Sequence, residues 1–335
     1  MKTILYIGQL WRGGTCLDRL KSLERIGFNV LPFDVTPYRP RGNRIAASIQ
    51  WRLARGRWVH DLNRDIIAFS KQCTGPIQFT WIDKGRTIQP QTVADIGRIT
   101  GRPVIHFTAD PAFSVHASAA FTASVAMYHA LITTKAFELP AYKSHKAAAI
   151  ILTRQSYAAE RFSPDPGAAH NAVVFIGHYE PHYRRMVDAV PLSYRDVSVW
   201  GPGWSGRLRR PRPYVRGGGL WGLDYVHALR SGHIALGLVS KWIPEQSTTR
   251  TFEIPACGML MIAERTNEHQ QLFVEDREAV FFDSPAELRE KTAYYTANDA
   301  ARARIAAGGR ERCLRSGYDS DSTMRKVVRA VEATL

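Results

Sequence analysis

The strongest constraint on this chain is an alternation of short, apolar, β-branched runs with longer helical stretches, sustained along most of its length. Runs at 3–7, 29–33, 77–81, 104–107, 130–133 and 149–152 are separated by helical stretches such as 16–26, 45–71 and 91–99. Strands this short and this apolar are covered on both faces, and the intervening helices supply the cover. The expected fold class is α/β, a parallel sheet with helices on both sides. Residues 163–168, Ser-Pro-Asp-Pro-Gly-Ala, then interrupt the pattern like a linker. A second set follows at 172–176, 196–199, 234–239, 259–262 and 279–282, closing in helical segments at 285–296, 299–316 and 321–334. The expected domains are 1–166 and 167–316, with 317–335 as a C-terminal helix packing back on the first.

Composition limits the alternatives. The 335 residues leave room for two ordinary cores, and 45% hydrophobic with 22% charged residues describes a globular chain. Lys2 and a short apolar run open the sequence without a cleavage site, which reads as a first strand and not as a signal peptide. The longest uncharged run, 117–134, is rich in Ala, Ser and Thr and contains His129, so no membrane span is expected. Cys16, Cys73, Cys257 and Cys313 form no CxxC pair, which argues against metal or disulfide frameworks and fits a cytoplasmic location. The net charge of +15 is concentrated in two clusters. Arg39, Arg41, Arg44, Arg52, Arg55, Arg57 and Arg64 surround Trp51 and Trp58, and Arg207, Arg209, Arg210, Arg212 and Arg216 have no acid between them. Such clusters suit an anionic lipid, acidic glycan or nucleic acid, or else a plain solvated face.

In open parallel sheets, ligands sit beyond the carboxyl ends of the strands, so the strand-to-helix loops hold the candidate residues. The richest is Thr248-Thr249-Arg250-Thr251-Phe252-Glu253, with Pro255 and Gly258 behind it. Loop amides, threonine hydroxyls and the Arg250 fork favour a diphosphate. Glu253 cannot serve phosphates but can accept hydrogen bonds from two adjacent ribose hydroxyls. It also suits a first helical turn without any ligand. Pro255 means that the helix starts near Phe252 or is kinked. Glu245 lies eight positions earlier and could contact a sugar. Gly177 lets a phosphate or sugar approach the backbone beside His178, while Arg184 is either a diphosphate clamp or a surface arginine. Trp204, after Trp200-Gly201-Pro202-Gly203, offers a face to a base or packs its own loop.

The first half gives weaker signals. Gly13 and Gly14 either admit a ligand at a helix start or form a tight turn, and neither GxGxxG nor Walker spacing is present. Lys84-Gly85-Arg86 follows a strand and could direct two cations into a cleft or simply turn the chain. Asp110, before Pro111, is a candidate base, a sugar-hydroxyl acceptor or an Asx-turn residue. His106 lies within a strand and reads as packed, whereas His116 is borne on a loop.

The segments Phe175-Ile176-Gly177, Trp200–Trp204, Tyr225 to Leu238 and Arg250–Gly258 resemble the CgeB-like (spore maturation protein) glycosyltransferases, relatives of the group-1 retaining enzymes. Lys84-Gly85, Ala109-Asp110-Pro111 and Thr133-Thr134-Lys135 extend the resemblance more loosely into the first half. It implies a GT-B fold, two Rossmann-like domains facing a cleft, with the donor nucleotide on the second and the acceptor mainly on the first. It also implies Glu253 at the ribose, the 248–251 loop and Arg184 at the diphosphate, and Glu245 at the sugar. No cofactor or catalytic metal is implied, the nucleotide-diphospho-sugar being a co-substrate. The expected partners are that donor, a glycan, lipid-linked or protein acceptor, and an anionic membrane at the periphery, with nucleic acid not expected. A retaining transferase leaves the acceptor proton to the departing phosphate, while an inverting one makes Asp110 the first base to test. A GT-B epimerase or hydrolase, or a non-catalytic polyanion binder, are the alternatives.

Overall fold

Each apolar run becomes a parallel strand, and the computed structural model gathers the strands into two six-stranded sheets. It describes all residues except 1, 41, 42, 44, 46, 48, 49, 51, 52, 74, 166, 168, 192, 194, 195 and 206–211. The first sheet contains β1 (Lys2–Gly8), β2 (Phe28–Asp34), β3 (Ile77–Asp83), β4 (Val104–Thr108), β5 (Ala130–Thr133) and β6 (Ile150–Leu152). Their order is β2-β1-β3-β4-β5-β6. The second contains β7 (Asn171–Ile176), β8 (Val197–Trp200), β9 (Val215–Gly217), β10 (Gly232–Gly237), β11 (Leu260–Glu264) and β12 (Val280–Phe282), in the order β12-β11-β10-β7-β8-β9. In each sheet the chain reverses its direction of winding once, between β1 and β3 and between β7 and β10. Loops leave such a switch point in opposite directions and open a crevice beyond the strand ends.

Both sheets are buried on both faces, as their period-two side chains require. Ile4 and Tyr6 of β1 face one core with Phe79, Trp81, Met324 and Val331, while Leu5 and Ile7 face the other with Leu62, Ile66 and Ile96. Val174 and Ile176 of β7 likewise face away from Val173 and Phe175.

The chain divides into a unit of residues 1–154 with 321–335 and a unit of residues 155–320. The first division precedes the 163–168 stretch because Tyr157, Ala158 and Phe162 are already buried in the second unit's core. Pro166 and Ala168 of that stretch lie outside the described residues. The helix Ser320–Glu332 contributes Met324, Val327, Val328 and Val331 to the first unit's core.

Two local expectations change. The 45–71 stretch is not one helix: Ala54 (φ 47°) and Gly56 (φ 125°) adopt left-handed backbone, and the helix Arg57–Gln72 begins after them. The three-residue β9 is too short and too glycine-flanked for its pattern to stand out in the sequence. Among the described residues no helix is long and apolar enough to cross a membrane.

Beneath the crevice of the first unit, Asp83 at the end of β3 is fully buried and heavily bonded. Arg19 Nε and Nη2 donate to its two oxygens at 2.6 and 2.8 Å, Tyr6 donates at 2.6 Å, and the Cys16 thiol donates at 3.2 Å. Burial alone would raise the Asp83 pKa, but Arg19 and these donors hold it below the usual carboxylate value. Burial and the Asp83 charge push the Cys16 thiol up to about 12, so it stays protonated and inert.

The pair should be costly to break. Asp83→Ala strands the Arg19 charge and is expected to lower stability by about 3–5 kcal/mol, read from the urea midpoint, whereas Arg19→Met with Asp83→Leu should recover most of the loss. In the native protein the depressed carboxyl pKa contributes stability that is present above the ordinary aspartate value and is lost as pH falls through the folded value. An Asp83→Ala variant as stable as the parent would overturn this account.

Candidate functional site

The crevice of the second unit is floored by Arg250, the first residue of the helix Arg250–Ala256. Its Nη1 donates to the carbonyl of Ile176 at 3.1 Å, at the end of β7, and its Nη2 to the carbonyl of Leu238 at 2.9 Å, just past β10. The guanidinium carbon lies 5.3 Å from the centre of the Phe175 ring. Arg250 thus ties together the two strands flanking the switch point, and carbonyls rather than carboxylates receive its donors. Gly177 fits closely here, since a Cβ would lie 2.8 Å from the Phe175 ring and 3.3 Å from Arg250 Nη1. Gly201 (φ 154°) is more constrained, for a Cβ there would come within 1.8 Å of the Gly177 carbonyl oxygen.

That carbonyl also accepts the indole N–H of Trp204 at 2.8 Å, and Trp204 is buried among Phe175, Tyr179 and Tyr214. Trp204 therefore packs its own loop and has no free face for a base. Arg184 is half-buried and turned toward Asp188, to which its Nε donates at 3.3 Å. The helix Pro181–Ala189 explains why: His182 faces the strand ends, and a residue two positions on points elsewhere, whereas one three positions on shares its face. Arg185 occupies that position, with Nη2 3.4 Å from His182 Nδ1.

Two buried carboxylates brace the loop after β10. Glu180 accepts the Lys241 amide at 3.0 Å and meets His178 Nε2 at 2.9 Å. Glu264, at the end of β11, accepts the Val239 amide at 2.9 Å and meets His182 Nε2 at 3.0 Å and Lys241 Nζ at 2.5 Å. The Lys241 side chain remains about half exposed, and the exposed Trp242 ring lies 5.4 Å from the His178 ring. Glu245 is half-buried on the same loop.

The threonines differ in what they offer. The buried Thr251 Oγ1 accepts the Thr248 amide at 3.1 Å and lies 2.9 Å from His269 Nε2. His269 Nδ1 lies 2.7 Å from the Glu264 carbonyl, which accepts only, so the proton sits on Nδ1. Burial lowers the His269 pKa and keeps the ring neutral, leaving Nε2 to accept the Thr251 hydroxyl. Thr251 is thus committed to the framework. Thr248 is buried, and Thr249 is half-buried ahead of the helix. Glu253 is also largely buried, its Oε2 accepting the Tyr225 hydroxyl at 2.6 Å. The helix holds Pro255 inside it and runs into Gly258 (φ 72°).

In the first unit, a cavity of about 250 Å³ lies at the ends of β1, β3 and β4. Gln9, Lys84, Arg86, Thr108, Asp110 and His116 give it polar walls, and Val115 and Phe121 apolar ones. Lys84 Nζ lies 2.8 Å from Asp110 Oδ2. Burial would raise the Asp110 pKa, but Lys84 outweighs it and the carboxyl is held low. Lys84 (φ 69°) and Gly85 (φ 53°) are both left-handed, and a Cβ on Gly85 would strike Ile82 at 2.6 Å. His106 is fully buried against Phe121 and Tyr128, and burial lowers its pKa to about 4. Gly13 and Gly14 do not line the cavity. Their turn closes on Trp11, whose carbonyl accepts the Gly14 amide at 3.1 Å.

Of the basic clusters, Arg41, Arg44, Trp51, Arg52, Arg207, Arg209 and Arg210 lie outside the described residues. Arg64 pairs with Asp61 and Asp65, and Arg216 donates to Ser198 Oγ at 3.0 Å. Arg39, Arg55, Arg57 and Arg64 line an open groove of about 920 Å³ with Tyr38 and Leu53. Among the described residues no group of three His, Cys, Asp or Glu side chains is placed to hold a metal ion.

Residues 180–329 match a family model described as glycosyl transferase-like. No curated protein matches the chain. Solved structures match over its whole length. Anabaena HepE in complex with UDP and glucose has a TM-score of 0.65 at 13% identity, covering 99% of this chain and 100% of that one. Sucrose-phosphate synthase from Thermosynechococcus elongatus gives 0.65 at 13%, covering 100% of both. A UDP-forming α,α-trehalose-phosphate synthase from Burkholderia xenovorans gives 0.64 at 10%, covering 99% of each. The fold is GT-B, and residues 180–329 are similar to the glycosyl transferase-like family.

Proposed function

We propose that the chain transfers a sugar from a nucleotide-diphospho-sugar to a hydroxyl acceptor, the donor lying on the second unit and the acceptor on the first. The resemblance of its motifs to the CgeB-like enzymes supports this reading. The observation that carries this reading is the charge at the second crevice. Arg250 sits under the switch point and, among the described residues, its hydrogen bonds go to carbonyls and not to a carboxylate, so its positive charge is available to an anion above it. Arg185 borders the same strand ends and supplies a further cation for a diphosphate, while Lys241 there is paired with Glu264. Glu253 then serves the ribose and Glu245 the sugar, with Thr248 and Thr249 beside the phosphates. UDP and UDP-glucose are the first ligands to test, since HepE holds them.

The bond from the anomeric carbon to the diphosphate oxygen breaks as the acceptor oxygen bonds to the same carbon. Cations that strengthen their hold on the leaving diphosphate lower the barrier without a protein-held metal. The acceptor proton passes to the departing phosphate oxygen. Asp110, held ionised and weakly basic by Lys84, orients an acceptor hydroxyl and does not deprotonate it, which supports retention.

The arginine-lined groove around Tyr38 and the exposed Leu53 suits an anionic membrane surface that presents a lipid-linked acceptor. Vesicles containing phosphatidylserine should co-sediment with the protein at low salt and release it at high salt, and an absence of binding at low salt would remove this contact.

Glu253→Ala should abolish transfer from UDP-glucose and weaken UDP binding by about 1.5–3 kcal/mol by calorimetry. Arg185→Ala should weaken UDP binding roughly tenfold, the lower end of that range, while Arg184→Ala leaves it unchanged. Full activity in Glu253→Ala would overturn the site, and equal losses at both arginines would return Arg184 to it.

A further inference from the structure

The donor carboxylate is held by a second residue. Tyr225 lies in the helix Gly222–Arg230, and its hydroxyl donates to Glu253 Oε2 at 2.6 Å. Burial, and then the Glu253 charge, push the phenol well above its ordinary pKa, so it remains a donor at every working pH. Its ring meets Phe162 edge-on, with centroids 6.0 Å apart and planes at 73°. Arg230, at the end of the same helix, donates through Nη2 to the Arg161 carbonyl at 2.8 Å and to Ser163 Oγ at 2.9 Å. The stretch that enters the second unit therefore fixes the helix, the helix fixes the phenol, and the phenol fixes one oxygen of the carboxylate.

We infer that Tyr225 is a positioning residue that sets the plane of the Glu253 carboxylate for the two ribose hydroxyls of a nucleoside diphosphate. This inference rests on the donor-site reading of Glu253. A carboxylate free to rotate must be ordered when the ribose arrives, and a charge-assisted bond of 2.6 Å orders it beforehand. Oriented in this way, it accepts from neighbouring hydroxyls in one geometry, which makes the contact selective for ribose over a sugar lacking them.

Tyr225→Phe keeps the ring against Phe162 and removes the hydroxyl alone. Calorimetry with UDP, with GDP and ADP alongside, and with the 2′,3′-dideoxy form of the tightest binder separates the possibilities. The parent should bind the ribose form more tightly than the dideoxy form. Tyr225→Phe should weaken the ribose form roughly tenfold, within the range for a hydrogen bond to a charged group, and leave the dideoxy form unchanged. In a Glu253→Gln background, Tyr225→Phe should have no further effect. An unchanged affinity for the ribose form, or equal weakening of both forms, would overturn the positioning role. A parent that binds none of the three diphosphates, or does not distinguish ribose from dideoxyribose, would overturn the donor-site reading itself.

Discussion

The second unit depends on the span that Arg250 makes between the carbonyls of Ile176 and Leu238. Parallel strands that end at a switch point leave carbonyls with no neighbouring strand to donate to them, and an unsatisfied buried carbonyl is costly. A guanidinium suits this role because its fork reaches two acceptors in one plane. The same carbonyl row sets the demands on Gly177, Gly201 and Trp204, each of which approaches or bonds the backbone there. In the first unit the buried arginine, Arg19, is instead paired with a carboxylate, Asp83.

Buried acids in the second unit act as framework. Glu180 and Glu264 accept the amides of Lys241 and Val239, a role that a charged acceptor fills more strongly than a neutral one. With its backbone pinned in this way, the loop keeps Lys241 and Trp242 at the surface. His269 extends the same framework by joining the Thr251 hydroxyl to the carbonyl of Glu264.

The strands were legible in the sequence because parallel strands buried on both faces are short continuous apolar runs, as in 77–81 and 104–107. β9 was not, having three residues and a glycine at its end. The 248–258 loop was also legible, as hydroxyls and one arginine ahead of a short helix, but its internal division was not. Three threonines look alike until the fold turns Thr251 toward His269. Arg184 and Arg185 are adjacent in sequence, and only the phase of the helix beginning at Pro181 separates an arginine beside Asp188 from one beside His182. Tyr225 and Glu253 lie on different helices, and no local spacing signals their bond. Trp204 shows the opposite case, where a residue type suited to stacking is consumed by its own loop.

On the proposed reading, the stereochemical course follows from two ion balances in different units. A general base must be able to take a proton as the acceptor attacks, and a carboxylate beside an ammonium at 2.8 Å has lost much of that ability. Asp110 still accepts a hydrogen bond, so it can aim a hydroxyl. The strongest remaining proton acceptor is the leaving diphosphate, whose oxygens gain negative charge as the glycosidic bond breaks. Cations that stabilise this charge also reduce its basicity, so their number matters. A floor cation already shared with two carbonyls, as Arg250 is, lowers the barrier to departure while leaving the phosphate basic enough to receive the acceptor proton.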